Sequence, residues 1–126
     1  MRTSTPGPFA QLLGFELVHA DAEGAEMSAL PRSEHCNGGG ILHGGYLSAL
    51  LDSATGWAVH GALEPGQLAP HVHLDVQYLR AGRPDEPLRA TARCLRRGRT
   101  ILAAEAEITQ GGRLLAKATS THAVLR

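Results

Sequence analysis

The feature that most constrains this chain is a glycine-rich turn over residues 37–45 that runs directly into one apolar segment. Apolar residues in that segment recur at steps of three and four, and this spacing predicts one long helix over Gly44–His60. A single apolar helix of this length needs cover on several sides, and a curved sheet around it would supply that cover.

The start of the predicted helix is a candidate oxyanion site. A glycine-rich turn that opens a helix leaves backbone N–H groups unpaired, and the helix dipole favours negative charge at that end. Asp52 lies in the middle of the same apolar segment, where a carboxylate is costly unless it has a task or a partner. Oxyanion donors together with an isolated carboxylate indicate acyl transfer or proton abstraction next to a carbonyl.

The spacing of His43 and Asp52 adds a geometric constraint. Nine residues separate them, which on a helix is about 13–14 Å and two and a half turns, so they lie on opposite faces. One chain therefore cannot bring both side chains to one reacting atom. If both act, a second subunit must supply one of them, and the site lies at a dimer interface.

The remaining sequence predicts an α+β layout of one domain. Residues 1–8 read as a flexible tail and residues 9–126 as the domain, with a helical turn near residues 9–13. Alternating and β-branched segments separated by turns predict strands at 15–20, 24–30, 71–79, 88–95, 100–109 and 114–125.

The composition excludes several classes of function. With 43% hydrophobic residues, 19% charged residues and zero net charge, the chain is neither disordered nor suited to bulk nucleic-acid binding. No apolar run of membrane-spanning length and no signal peptide is evident, and two cysteines are too few for a disulfide framework. We therefore expect a cytoplasmic protein with no membrane or nucleic-acid partner.

Basic residues concentrate in the second half of the chain, with seven arginines between Arg80 and Arg99. Arg89 and Arg93 lie on a predicted strand, where cross-strand pairs with Glu105 and Glu107 would explain them without a ligand. Three others lie in the predicted 96–99 turn without acidic neighbours and are candidates for binding phosphate: Arg96, Arg97 and Arg99.

The helix motif resembles that of hotdog-fold acyl-CoA thioesterases of the phenylacetate-degradation type. Asn37, His43-Gly44-Gly45 and Asp52 carry the resemblance, and the runs at 74–80 and 98–100 add to it, so that it covers roughly residues 9–125. It implies an α+β hotdog fold, in which a curved antiparallel sheet of five to six strands wraps a long central helix. It also implies hydrolysis of an acyl-CoA thioester to CoA and a free acid.

The resemblance assigns catalytic roles to four residues. Asp52 would act as general base or as nucleophile, and the Gly44 N–H would hold the thioester oxygen. Asn37 would orient water or substrate opposite Asp52 of the other subunit, and His43 would assist near the carbonyl or the leaving sulfur. Asn37 and His43 have simpler interpretations as a turn cap and a helix cap.

Seven further positions are expected to bind the substrate or its CoA arm: Gly45, His71, Arg96, Arg97, Gly98, Arg99 and Thr100. His71 is a departure, because members of the family often have Ser or Thr at that point. The resemblance implies no metal and no other cofactor, and it implies a homodimer or homotetramer.

Several alternatives stay open at this point. A hotdog hydratase or dehydratase needs a carboxylate close to a histidine, and a non-catalytic acyl-CoA sensor needs no competent carboxylate. His71 and His73 are two residues apart, so they would share one strand face and could bind metal with Cys36 or His122. Cys36 beside His35 allows a thiol nucleophile, although adjacent side chains seldom face each other.

Overall fold

The computed structural model describes residues 5–125, which contain one long α-helix, one short α-helix, a single 3-10 turn over Ser33–His35 and six strands. The helices are α1 (Pro8–Leu12) and α2 (Gly44–His60), and the strands are β1 (Glu16–Asp21), β2 (Gly24–Ala29), β3 (His71–Tyr78), β4 (Leu88–Arg97), β5 (Ile101–Gln110) and β6 (Arg113–Ala123).

The six strands form one antiparallel sheet in the order β1-β2-β4-β5-β6-β3. The helix α2 contacts strands across the full width of this sheet, from β1 to β3. Bulges interrupt the pairing in β1, β3 and β4 and between β5 and β6, and bulges bend and twist a sheet locally. The predicted architecture of a long helix wrapped by five to six antiparallel strands is therefore confirmed, with six.

The core lies between α2 and the inner face of the sheet. Leu50, Leu51 and Ala54 of α2 are wholly buried, as their three- and four-residue spacing predicts. The sheet meets them with alternate positions, several of them small, which lets helix and sheet approach closely: Met27, Ala90, Ile108 and Ala116.

The predicted helix bounds are confirmed, whereas one predicted turn is wrong. The chain was expected to turn over residues 96–99, but β4 continues through Arg97 and the turn occupies residues 98–100. A bulge between Cys94 and Arg96 adds a residue to β4, and the Arg97 guanidinium donates to the Ala22 carbonyl oxygen in the β1–β2 turn.

The predicted tail and domain limits are only partly covered by the structure. Residues 1–4 and 126 lie outside the described residues, and α1 begins at Pro8. The division into a tail over 1–8 and a domain over 9–126 stays a prediction. Within residues 5–125, no helix is long and apolar enough to cross a membrane.

β3 is an edge strand with a bulge near its start. His71 pairs with His122 of β6, but His73 pairs with Thr121, so two steps along β3 correspond to one along β6. His71 therefore turns towards α2, whereas His73 is exposed. The expectation that His71 and His73 share one face is wrong, because it assumed an unbroken two-residue alternation.

Candidate active site at the start and middle of the long helix

His43 caps the first turn of α2. Its Nδ1 accepts a hydrogen bond from the Gly45 N–H at 2.7 Å, and its carbonyl oxygen accepts from the Tyr46 and Leu47 N–H groups. The Gly44 N–H has no acceptor among residues 5–125. The helix therefore begins with one free backbone donor beside an imidazole whose Nε2 is available, which is the arrangement an oxyanion site requires.

Both glycines of the His-Gly-Gly run are explained by close contacts. A Cβ at residue 45 would lie 2.9 Å from His43 Nδ1, so a larger residue there displaces the capping ring. A Cβ at residue 44 would lie 3.3 Å from the ring of Tyr78, whose hydroxyl is hydrogen-bonded to Ser48 Oγ. Tyr78 thus lies against the first turn of α2 beside the free N–H.

Asn37 caps the glycine turn before the helix. Its Oδ1 accepts from the Gly39 N–H at 2.8 Å, and its own N–H donates to the Ile41 carbonyl oxygen at 2.8 Å. The turn-cap interpretation of Asn37 therefore describes a contact that the structure contains. The Nδ2 donors of Asn37 have no acceptor within the described chain, so they are available to a water or a substrate.

Asp52 lies near the middle of α2 with its side chain about half exposed, at 54%. Its Oδ2 is 3.7 Å from His71 Nδ1. The structure records no contact between Asp52 and Asn37 or His43 within residues 5–125, as expected from the opposite-face geometry. The start of α2 and its middle therefore carry two separate groups of candidate residues in one chain.

A hydrogen-bonded cluster lies behind Asp52. His71 Nε2 is 2.8 Å from Thr55 Oγ1, and the His71 ring lies 4.1 Å from that of His122. The His122 Nδ1–H donates to the Ala69 carbonyl oxygen at 3.1 Å, and Nε2 is 2.8 Å from Ser120 Oγ. Sequence reasoning missed Thr55, Ser120 and His122 as parts of one cluster with Asp52.

Both imidazoles of the cluster favour the neutral form. Burial lowers the pKa of His71, and the Asp52 carboxylate only partly opposes this. Burial also lowers the pKa of His122, and the nearby His71 lowers it further, while the Ala69 carbonyl and Asp52 act in the other direction. Two cations could not share a contact of 4.1 Å without strong repulsion.

A buried phenol lies beside the helix start. Tyr46 is 5% exposed, and within the described residues its hydroxyl has no hydrogen-bond partner. Burial raises the pKa of Tyr46 to about 12. The rings of Phe15 and His35 pack on it at centroid distances of 5.3 and 4.4 Å, so it fixes the position of the loop before α2.

The cluster of arginines lies at the β4–β5 hairpin. Arg96 and Arg97 are exposed at the end of β4, and Arg99 lies in the turn. A Cβ at Gly98 would collide with the Ile101 carbonyl oxygen, so the tight turn requires glycine there. Thr100 accepts a hydrogen bond at its carbonyl oxygen from the Val124 N–H at 2.9 Å, which ties the turn to the end of β6.

The expected salt bridges of the neighbouring arginines are half right. Arg93 Nε lies 3.4 Å from Glu105 Oε2, as predicted. Arg89 pairs with Glu26 at 3.1 Å rather than with Glu107, because β4 lies between β2 and β5 and Arg89 faces Thr109 on the β5 side. The missed partner lies on a strand distant in sequence.

The thiol and metal alternatives find no support in the geometry. Cys36 Sγ donates to the Arg32 carbonyl oxygen at 3.9 Å, whereas His35 Nδ1 accepts from the Arg32 N–H at 2.9 Å, so the two side chains are not paired. Across the part of the chain that the structure describes, no three His, Cys, Asp or Glu side chains are grouped to hold a metal ion.

A concavity of about 540 Å³ lies on the outer face of the sheet, on the side away from α2. Charged side chains on neighbouring strands line it, including Asp75, Glu105 and Lys117. Neither Asp52 nor the start of α2 lines it, so this concavity is separate from the candidate site.

Comparison with known proteins identifies the family. Residues 39–117, more than half of the chain, match the Thioesterase superfamily. The chain belongs to the thioesterase superfamily. The matched region contains most of the predicted site, from the glycine turn through Asp52 to the β4–β5 hairpin, and the predicted resemblance is confirmed.

Three similar proteins add detail. The protein named "Putative esterase PA0474" of Pseudomonas aeruginosa is 34% identical over 113 residues, which cover 89% of this chain and 84% of that protein. A structure from Ralstonia eutropha JMP134, described as a putative thioesterase and phenylacetic acid degradation-related protein, is 33% identical with a TM-score of 0.87 and coverage of 97% and 94%. A hypothetical thioesterase of Streptococcus pneumoniae TIGR4 with coenzyme A is 27% identical with a TM-score of 0.79 and coverage of 88% and 85%.

Proposed function

We propose that this member of the thioesterase superfamily hydrolyses acyl-CoA thioesters to CoA and a free carboxylic acid. The observation that carries the proposal is Asp52, the one carboxylate on a mainly apolar helix whose first turn offers the free Gly44 N–H. The coenzyme A present in the similar Streptococcus pneumoniae thioesterase supports CoA as the leaving group.

In the proposed mechanism Asp52 acts as general base on water. Water attacks the thioester carbonyl carbon and gives a proton to Asp52. The electrons of the C=O bond move to the carbonyl oxygen, which accepts a hydrogen bond from the Gly44 N–H. The C–S bond then breaks, and the CoA thiolate takes up a proton. Removal of one such donor typically costs about 3–4 kcal/mol in the transition state. The reaction balances with water alone and requires no metal or other cofactor.

Two other groups complete the proposed site. The capped His43 keeps its Nε2 side available to the carbonyl or to the leaving sulfur, because Nδ1 is engaged by Gly45. The free Nδ2 of Asn37 orients the water. Since Asp52 lies on the opposite face of α2, we propose that Asn37 and His43 of one subunit act with Asp52 of another.

The edge strand β3 supports the proposed homodimer or homotetramer. β3 pairs with β6 on one side only, and an open edge can pair with an identical edge across a two-fold axis. Val72, Tyr78 and Leu79 on and after this strand are 61%, 54% and 53% exposed. Pairing of two β3 strands would cover this apolar surface and bring two chains together close to Asp52.

In this proposal the arginine cluster binds the phosphate groups of CoA. Arg96, Arg97 and Arg99 form a local positive patch on a chain of zero net charge, and Gly98 and Thr100 shape the hairpin that carries them. A cytoplasmic location is also proposed. Cys36 and Cys94 are free thiols in the structure, and disulfides persist mainly in oxidising compartments.

A panel of acyl-CoA esters assayed by thiol release tests the function. Asp52→Asn keeps the shape of the side chain and removes its charge, and we expect kcat to fall about a hundredfold with folding intact. Asp75→Asn is the matched control, because Asp75 lies on the outer sheet face away from α2. Equal turnover by the two variants contradicts the role of Asp52. CoA binding without turnover by the wild type would indicate a sensor.

One observation favours a second candidate, a hotdog enoyl-CoA hydratase. The 3.7 Å contact of Asp52 and His71 supplies a carboxylate close to a histidine within one chain. The His71 ring, however, is held against Thr55 and His122 with its side chain only 20% exposed. An assay with an enoyl-CoA distinguishes the two reactions. Hydration would be measured as loss of the absorbance of the conjugated double bond, whereas hydrolysis would release the CoA thiol.

A further inference from the structure

His71 reaches Asp52 because the bulge in β3 turns its side chain inward. Its imidazole lies over one face of α2, where Asp52 and Thr55 are three residues apart and so project on the same side. Gly56 completes this face, since a Cβ there would lie 3.6 Å from His71 Cε1, an ordinary contact.

The hydrogen bonds of Thr55 connect the position of its hydroxyl hydrogen to the tautomer of His71. Thr55 is wholly buried, and its Oγ1 lies 2.8 Å from the Leu51 carbonyl oxygen, which can only accept. If its single hydrogen goes to Leu51, the hydroxyl accepts from the His71 Nε2–H. A neutral His71 then presents the bare lone pair of Nδ1 to the Asp52 carboxylate.

His122 keeps His71 neutral and in place. It is fully buried on β6, and the Ala69 carbonyl fixes its proton on Nδ1. Ser120 Oγ then donates to Nε2, so the remaining lone pair of the His122 ring is already engaged in a hydrogen bond and is not available for a second proton. The titratable groups that act on His71 are thus Asp52 from α2 and His122 from β6, and a protonated His71 would place a cation against a buried ring 4.1 Å away.

We propose that His71 is a positioning residue for Asp52: its Nδ1 accepts a hydrogen bond from Asp52 when that carboxyl is protonated, and so holds and stabilises the protonated form. This rests on the proposed hydrolysis of thioesters. When water adds to the carbonyl carbon, its proton moves to Asp52, and the resulting carboxylic acid O–H points at His71 Nδ1. The proton then leaves with the CoA thiol, and Asp52 returns to the carboxylate form in which it began.

His71→Gln is the decisive variant. Its side-chain amide can replace the Nε2 contact with Thr55 but leaves nothing at the Nδ1 position facing Asp52. We expect kcat to fall about tenfold with KM little changed, since the lost hydrogen bond forms only during the reaction. The acidic limb of the kcat profile should move to lower pH, because a proton on His71 no longer inactivates the pair.

Two other variants separate positioning from a structural role. His73→Gln changes an exposed histidine on the same strand and should leave kcat and the pH profile unchanged. His71→Asn places an amide oxygen where Nδ1 was, so it should recover part of the kcat lost in His71→Gln. If His71→Gln folds poorly, His71→Asn is compared with His73→Gln at matched melting temperature. A lower kcat and a shifted acidic limb in His71→Asn alone support the positioning role, and equal kcat and pH profiles in the two variants contradict it.

The outcomes distinguish this inference from the proposed function. A wild-type protein that hydrolyses no thioester overturns the proposed function and the catalytic part of this inference together. An active wild type whose His71→Gln variant keeps its kcat and its acidic limb overturns the role of His71 alone. Long-range proton–nitrogen NMR of the wild type is independent of activity, and a neutral His71 with its proton on Nδ1 would also overturn it.

Discussion

The two halves of the candidate site lie on one helix but are built in different ways. At the start of α2, backbone N–H groups, two glycines and the capping His43 create the site within a few residues of chain. In the middle of α2, Asp52 depends on His71 from β3, behind which stands His122 of β6. The first half is local in sequence, and the second is assembled by the sheet.

The difference predicts how each half responds to change. The start of α2 is sterically tight, so added atoms there should disturb it. It holds no buried charge, so changes of pH should affect it less. The middle has room around Gly56 but depends on the protonation of two imidazoles, the partly buried His71 and the buried His122. Substitutions of size should therefore affect the first half, and changes of pH or charge should affect the second.

The largest expected effect tests whether the halves come from different subunits. Asn37→Ala and Asp52→Asn proteins are each expected to be nearly inactive. After subunit exchange, half of the dimers are mixed and each has one intact site, so activity should return to about a quarter of wild type. Activity is measured by thiol release, and exchange is verified with differently tagged subunits. Proven exchange without recovery would show that one chain holds both residues of a site.

Glycine-to-alanine changes at two points of α2 should give opposite results. In Gly45→Ala the new Cβ would meet His43 Nδ1 at 2.9 Å, so the helix cap should be lost. We expect the free energy of unfolding to fall by about 1 kcal/mol and kcat to fall roughly tenfold. Gly56→Ala adds only an ordinary 3.6 Å contact with His71 and should be neutral or slightly stabilising. Melting temperature and kcat measure both, and similar behaviour of the two variants would remove the contrast.

The arginine cluster should affect binding more than chemistry. Replacing Arg96, Arg97 and Arg99 by glutamine should raise KM for a CoA ester by roughly tenfold and flatten its salt dependence, with kcat little changed. Arg113→Gln, at the exposed start of β6, is the control for general charge. An N-acetylcysteamine ester lacks the nucleotide, so equal losses on that substrate would mean that the cluster supports the fold instead.

The smallest expected effect is on acid stability. The pKa values of His71 and His122 lie below the ordinary 6.5 in the fold. Between the folded values and 6.5, the unfolded chain binds more protons, so the free energy of unfolding should fall as the pH drops below about 6.5. Urea unfolding across this range measures the slope. His122→Gln should flatten it and His73→Gln should not, and a slope unchanged by His122→Gln would contradict the assignment.

Much of the first half could be predicted from the sequence because its interactions are short-range. The helix bounds, the capping His43 and the turn at Asn37 follow from residue types within about ten positions of one another. The sequence placed Arg96 and Arg97 in a turn, whereas in the structure both residues lie on β4, which a bulge lengthens. A bulge depends on the pairing of two strands, and nothing in the local sequence marks it.

The sequence by itself determined that one apolar helix would need a sheet around it, where that helix begins, and that Asp52 and His43 lie on opposite faces. Those conclusions rest on helical periodicity and on the donors that a helix start leaves unpaired. Only the tertiary structure decided what stands beside Asp52. His71, Thr55 and His122 meet through strand register and one bulge, which join residues as far apart as 52 and 122.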